Sequence, residues 1–128
     1  MYSKEAIKHF KHPKNTKEIK NPDGLGKVGN PVCGDVMQIF IKVGKNKKGK
    51  EIIKNIHFKT MGCIAAIASS SKTTELAKGK TIKQAMKITN SLVAKKLKGL
   101  PKEKLHCSNL AADALHKAIQ NYKKKSKK

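Results

Sequence analysis

His106 and Cys107 stand side by side in the stretch LPKEKLHCSNLAADAL (100–115), where a polar connector gives way to an apolar-periodic segment. Ala111, Leu115, Ala118, Ile119 and Tyr122 recur at three- and four-residue steps, which predicts an amphipathic helix running to about Tyr122. Ser108 or Asn109 is the expected cap. A cysteine at such a helix start feels the positive end of the macrodipole, which favours the thiolate. A thiolate beside an imidazole is open to three chemistries: nucleophile, metal ligand or sulfur acceptor.

Two further cysteines stand at expected element boundaries, Cys33 in PVCGD and Cys63 in MGC, and Asp35 lies two residues beyond Cys33. Cysteines that act as small hydrophobes usually sit inside an apolar face. Three at element ends favour a shared site instead. Three thiolates with a carboxylate and an imidazole suit a four-coordinate metal or an iron–sulfur cluster. No two cysteines form a CxxC pair, so only the fold can bring them together, and three unrelated thiols stay open from spacing alone.

The elements that must position these groups read as follows. Ser3 caps a short helix to Phe10, with Ala6, Ile7 and Phe10 on one face, closed at His12-Pro13. Lys14 to Gly29 reads as a loop with a short strand around Leu25 to Val28. Asp35 to Val43 alternates, with Met37, Ile39, Ile41 and Val43 pointing one way. GKNKKGK (44–50) is a turn, and Ile52 to Lys59 is the partner strand of an antiparallel hairpin, with Ile52, Ile56 and Phe58 in phase and Lys54 out of keeping. From Cys63 to Lys78 the pattern is helical, rich in hydroxyls from Ser69 to Thr74, and stopped by Gly79. Thr81-Ile82-Lys83-Gln84 is a capping box, Ser91 to Leu97 a further short helix ended by Gly99 and Pro101, and Lys123 to Lys128 a tail expected to fray. Strands first and helices afterwards predict one α+β domain over 1–128: a small antiparallel three-stranded sheet with helices packed on one face, including an N-terminal helix and a long C-terminal one.

The chain has 128 residues and a formal net charge of +22, carried by lysines with no arginine. Such charge attracts nucleic acid, anionic membranes and acidic proteins. The lack of arginine forks removes the usual means of reading guanine and phosphate, which leaves non-specific nucleic-acid contact and a solvated surface. No apolar run approaches the ~20 residues of a membrane span, and the N-terminal residues lack the features of a signal or transit peptide, so a cytoplasmic protein is expected.

The segments VCGDVM (32–37), GCIAAIASSS (62–71) and LHCSNLAADAL (105–115), in this order and spacing, resemble the three signature segments of IscU-type iron–sulfur assembly scaffolds, the NifU N-terminal-like family. The N-terminal YSKEAIKHFKHPKN and the helix at Thr81 match as well, so the similarity covers nearly the whole chain apart from the basic tail. The resemblance implies a scaffold and carrier, not an enzyme. On it a transient [2Fe–2S] cluster would be built from iron and persulfide sulfur at Cys33, Cys63 and Cys107, with Asp35 or His106 as fourth ligand. It also implies sulfur delivery from a cysteine desulfurase to Cys107, an assisting Lys104, and apo iron–sulfur proteins as recipients. Two departures stand out. LPKEK (100–104) replaces the LPPVK of members served by a DnaK-type chaperone, which puts chaperone-assisted transfer in doubt, and Ile64 replaces the usual small residue after Cys63.

The same ligands would hold Zn²⁺ in a cluster-free form, so a zinc-stabilised protein is the main alternative. A thiol enzyme using Cys107 with His106 as base, and a nucleic-acid binder driven by lysines, are the others. The sequence is compatible with a homodimer without specifying one. His9, His12, His57 and His116 are expected on the surface or on strand faces, and Ser69 to Ser71 in packing or capping.

Overall fold

The computed structural model describes residues 3–16, 19–30, 35–61, 64–98 and 110–126; the side chains of 30, 35 and 126 are outside that description. The described elements run, in order, α1 (Lys4–Lys11), β1 (Gly24–Asn30), β2 (Asp35–Lys45), β3 (Glu51–Met61), α2 (Ile64–Ala77), α3 (Ile82–Ala85), α4 (Asn90–Lys96) and α5 (Ala111–Ser126). The three strands form one antiparallel sheet in the order β1-β2-β3, so the α+β expectation holds.

The alternation along β2 puts Met37, Ile39 and Ile41 into the core, with Val43 half-buried beside them. On β3 the buried residues are Ile53, Ile56 and Phe58, so Ile53 and not Ile52 carries the phase. The cause is a β-bulge: Lys42 pairs with Asn55 and Val43 with Ile53, which leaves Lys54 without an opposite residue. One extra residue inverts the faces on either side of it. Lys54 looked out of keeping in the sequence because it is that extra residue. Ile52 instead bridges to Thr81.

β1 is longer than the expected Leu25–Val28 segment. Gly24 and Gly26 are not loop residues but the floor of a helix seat. A Cβ on Gly24 would lie 2.2 Å from the Ala118 carbonyl oxygen, and one on Gly26 would lie 2.0 Å from that of Ala114. The backbone of α5 therefore rests on the backbone of β1, and Ala111, Ala112, Ala114, Leu115, Ala118 and Ile119 fill the space beneath it. The helix continues through Ser126, past the Tyr122 boundary and into the lysines where fraying was expected.

α1 packs on α2 through polar groups. Ser3 caps α1 by accepting from the Ala6 N–H at 3.0 Å, and its hydroxyl donates to the Leu97 carbonyl of α4. Ala6 and His9 are the buried residues of α1, whereas Ile7 and Phe10 are only half-buried. That corrects the expected Ala6–Ile7–Phe10 face. Gly79 takes φ +83° and ends α2, its N–H donating to the Ile53 carbonyl at 2.8 Å. Thr81 and Gln84 close the capping box reciprocally. α4 is capped by Thr89, one step earlier than the sequence indicated, and the left-handed residue after it is Lys98 (φ 63°).

Candidate functional site

The described ends of four elements converge at one end of the sheet. Asn30, the last residue of β1, pairs with Asp35, the first of β2. Val36 pairs with Met61, the last residue of β3, and the Thr60 hydroxyl donates to the Val36 carbonyl at 2.5 Å. Gly24 lies against Ala118 and Gly26 against Ala114, so α5 runs antiparallel to β1 and its first turn points to the same end. α2 starts at Ile64, near the end of β3, and finishes beside Ile53 through the Gly79 bond, so it is antiparallel to β3.

These are the ends from which the thiol-bearing segments of the chain extend. Cys33 falls between β1 and β2, Cys63 between β3 and α2, and His106 and Cys107 before α5. Cys33, Cys63, Lys104, His106 and Cys107 themselves lie outside the described residues, as do the expected caps Ser108 and Asn109, and Gly99 and Pro101. Of the expected ligands only the Asp35 backbone is described, at the start of β2. Among the described residues no three His, Cys, Asp or Glu side chains gather as a metal site.

The positive ends of two long helices, α2 (14 residues) and α5 (16 residues), point to this same end. Each carries about half a unit of positive charge in unsatisfied N–H groups, which favours thiolates and other anions nearby. The start of α5 is also tied down from a neighbouring helix. Asn90 of α4 accepts from the Ala112 N–H at 3.2 Å and donates to the Asp113 carboxylate at 3.1 Å. His116, one turn on, bonds the Ile88 carbonyl at 2.6 Å. Neither link was foreseen; Asn90 directly precedes the expected Ser91 helix, and a polar residue there reads as a local cap.

Part of the hydroxyl-rich face of α2 meets α1 and the segment that follows it. Ser69, Ser70, Ser71, Thr73 and Thr74 are all buried. His9, expected at the surface, is 4% exposed and its Nδ1 meets the Ser71 hydroxyl at 2.7 Å. The same hydroxyl accepts from the Lys14 N–H, and Asn15 donates to Thr74 at 3.1 Å. The His9 Nε2 faces Glu5 at 3.4 Å and Glu75 at 3.9 Å, and Lys72 bridges those two carboxylates. Burial pushes the His9 imidazole below its ordinary pKa despite the carboxylates. The bond from Lys72 holds Glu75 below the usual carboxylate range. Burial pulls Lys72 down, but its bonds to Glu75 and Glu5 outweigh that and raise it. Ser71 and Thr74 tie α2 to α1 and the segment after it, whereas Ser69 and Thr73 donate to carbonyls of α2 itself; Ser69 to Ser71 are packed inside the domain, as expected.

No helix among the described residues is long and apolar enough to cross a membrane. Two solved structures share the fold. The N-terminal part of a nitrogen-fixing NifU-like protein from Brucella abortus superposes with a TM-score of 0.71 at 16% identity, covering 96% of this chain and 94% of that one. A scaffold protein of the SUF system from Fervidobacterium islandicum gives 0.66 at 19% identity, covering 92% and 96%. Sequence relatives are nearer. The iron–sulfur cluster assembly scaffold protein IscU 1 of Archaeoglobus fulgidus is 56% identical over 128 residues, covering 100% of this chain and 80% of that protein. The IscU scaffold of Rickettsia prowazekii is 49% identical, covering 97% and 93%. That of Aquifex aeolicus is 41% identical, covering 94% and 75%. The model of the NifU-like N terminal domain family matches residues 1–128. With overall fold and sequence in agreement, the chain belongs to the NifU-like N-terminal domain family.

Proposed function

We propose that residues 1–128 act as one scaffold domain on which a transient [2Fe–2S] cluster is assembled and then handed to apo-proteins. The observation that carries this is the convergence of the ends of β1, β2, β3 and the start of α5 at one end of the sheet. Family membership supports it, as do relatives named for iron–sulfur cluster assembly.

Cys33, Cys63 and Cys107 are the proposed thiolate ligands, with Asp35 or His106 completing the set. Cys107 is the sulfur acceptor, and Lys104 assists there. The start of α5 lies under the positive end of the helix, which favours the thiolate form of a cysteine just before it. Sulfur reaches it as a persulfide from a cysteine desulfurase: the Cys107 thiolate attacks the outer persulfide sulfur, the sulfur–sulfur bond breaks, and the donor cysteine leaves as thiolate. Iron and sulfur are cargo here and not a resident cofactor, so the chain needs no turnover chemistry of its own. A scaffold of this kind needs Cys33, Cys63 and Cys107 as free thiols, which calls for a reducing compartment, and we assign the cytoplasm.

One oxygen or nitrogen ligand among thiolates makes a cluster easier to release than an all-thiolate cage. Asp35 at the head of β2 is suited to that role. Zn²⁺ fits the same donor set and would occupy it in the cluster-free form. Transfer to apo-ferredoxin tests the proposal. After anaerobic reconstitution with iron, sulfide and thiol, visible charge-transfer absorption should move from this protein to the acceptor, and Asp35→Ala should slow the transfer. A colourless protein that holds only zinc would overturn the proposal, and faster loss from Asp35→Ala would remove Asp35 from the releasing role.

A further inference from the structure

The opposite end of the sheet carries a feature that cluster assembly does not use. β2 is 11 residues long, so the hairpin that joins it to β3 lies on the order of 30 Å from Asp35. Between that hairpin, α3 and the last turns of α5 is a groove of about 830 Å³. Lys45 and Lys50 of the hairpin, Lys83 of α3 and Lys123 of α5 surround a floor that includes Ile82 and Met86. Glu51 is the one acid in its wall, so the lining carries four positive charges against one negative. The Tyr122 hydroxyl donates to that carboxylate, which pushes the phenol up to about 12. A second basic hollow, with Lys42, Lys54 and Lys78 around Asp23, extends the positive field across the hairpin's flank.

We infer that this distal groove docks an acidic, partly apolar segment of a partner protein, leaving the thiol-bearing end of the scaffold open. Charge complementarity selects the carboxylates: Lys45, Lys50 and Lys83 make no ion pair within the described protein, so their ammonium groups do not have to be released from an internal partner. The floor selects against a bare polyanion. Ile82 and Met86 offer an apolar strip between the lysines, which matches a segment alternating acidic and apolar side chains better than a phosphate backbone. The absence of arginine points the same way, since lysines act as point charges without the bidentate fork for phosphate.

The test titrates the full chain at physiological ionic strength with a short fluorescent peptide of aspartate and glutamate carrying one leucine and one phenylalanine. Lys45→Glu with Lys83→Glu should raise Kd about tenfold, the sum of two rim contacts and reversed repulsion. Lys4→Glu with Lys11→Glu, the same change in net charge on α1, should alter it less than about twofold because α1 lends no residue to the groove and solvent-exposed charges are screened. Met86→Gln should weaken binding about threefold, and serine in place of the peptide's leucine and phenylalanine should do the same. Amide resonances from Thr81 to Met86 and at Gly49 should shift on titration. Equal losses from the two lysine pairs would overturn the inference in favour of bulk charge. Tighter binding of a single-stranded oligonucleotide that displaces the peptide would overturn it in favour of a polyanion site. Reconstituting the Lys45→Glu, Lys83→Glu variant reads cluster assembly separately, so failed docking leaves the scaffold proposal standing.

Discussion

Two seams hold helices onto this small domain, and they are built from opposite materials. Where α5 crosses β1, glycine faces helix backbone with no side chain between them: Gly26 lies against the Ala114 carbonyl and Gly24 against that of Ala118. Where α1 crosses α2, the contact is made of hydroxyls, an imidazole, two carboxylates and an ammonium. Close-packed backbone has one register and cannot be retuned. A polar seam depends on protonation and on each partner being present. The rigid seam aims the start of α5 at the thiol-bearing end, so the helix that follows His106 and Cys107 is held in place. The polar seam lies toward β3, at the other edge of the sheet.

The largest difference between the seams should appear when an atom is added to the rigid one. Gly26→Ala places a methyl 2.0 Å from the Ala114 oxygen and 2.5 Å from the Ala118 nitrogen, both backbone atoms. Neither can swing aside, so α5 must lift. Chemical denaturation should show a loss of more than ~3 kcal/mol, beyond the usual overpacking range. An alanine tolerated at this position would show that the seat is soft and the contrast mistaken.

Removing a group from the polar seam should cost less. His9→Leu strips one partner from the buried Ser71 hydroxyl and one from Glu5, and should lower stability by about 1–3 kcal/mol. The same residue makes the seam sensitive to acid. Its folded pKa lies below the ordinary 6.5, so the folded state binds protons less readily than the unfolded chain. Stability contributed by neutral His9 is therefore present above pH 6.5 and lost as pH falls below it and through the folded pKa. Melting temperature should drop on acidification more in the wild type than in His9→Leu; parallel curves would dismiss the imidazole as the sensor. The smallest effect belongs to the ion pairs. Lys72→Met should cost no more than ~1 kcal/mol, since Glu5 and Glu75 remain partly solvated.

Much of this arrangement can be read from residue patterns. The β2 alternation, the Ser3 and Thr81 caps and the Gly79 stop are local features, and each appears where its chemistry requires. Long-range features were hidden. Glycines at 24 and 26 look like loop residues until a helix from far along the chain rests on them, and an imidazole at position 9 looks solvated until α2 supplies a hydroxyl. Ile53 replaces Ile52 in the core because a single bulged lysine inverts the phase; Lys54 breaks the sequence pattern, but a polar residue out of phase does not by itself specify a bulge. For the site, the three cysteine segments were legible as motifs, and the fold adds that their neighbouring elements end together. Of the expected ligands, Cys33, Cys63, His106 and Cys107 lie outside the described residues, and Asp35 is described by its backbone at the head of β2.

The account rests on three distant thiols serving one site at the sheet end, and anaerobic reconstitution of the single variants Cys33→Ser, Cys63→Ser and Cys107→Ser tests that most directly. Wild type should take up iron and sulfide with the visible absorption of a [2Fe–2S] cluster, and each variant should lose most of that yield while keeping the wild-type fold by circular dichroism. If all three reconstituted as well as wild type, the thiols would not share a site, and the scaffold reading would be contradicted.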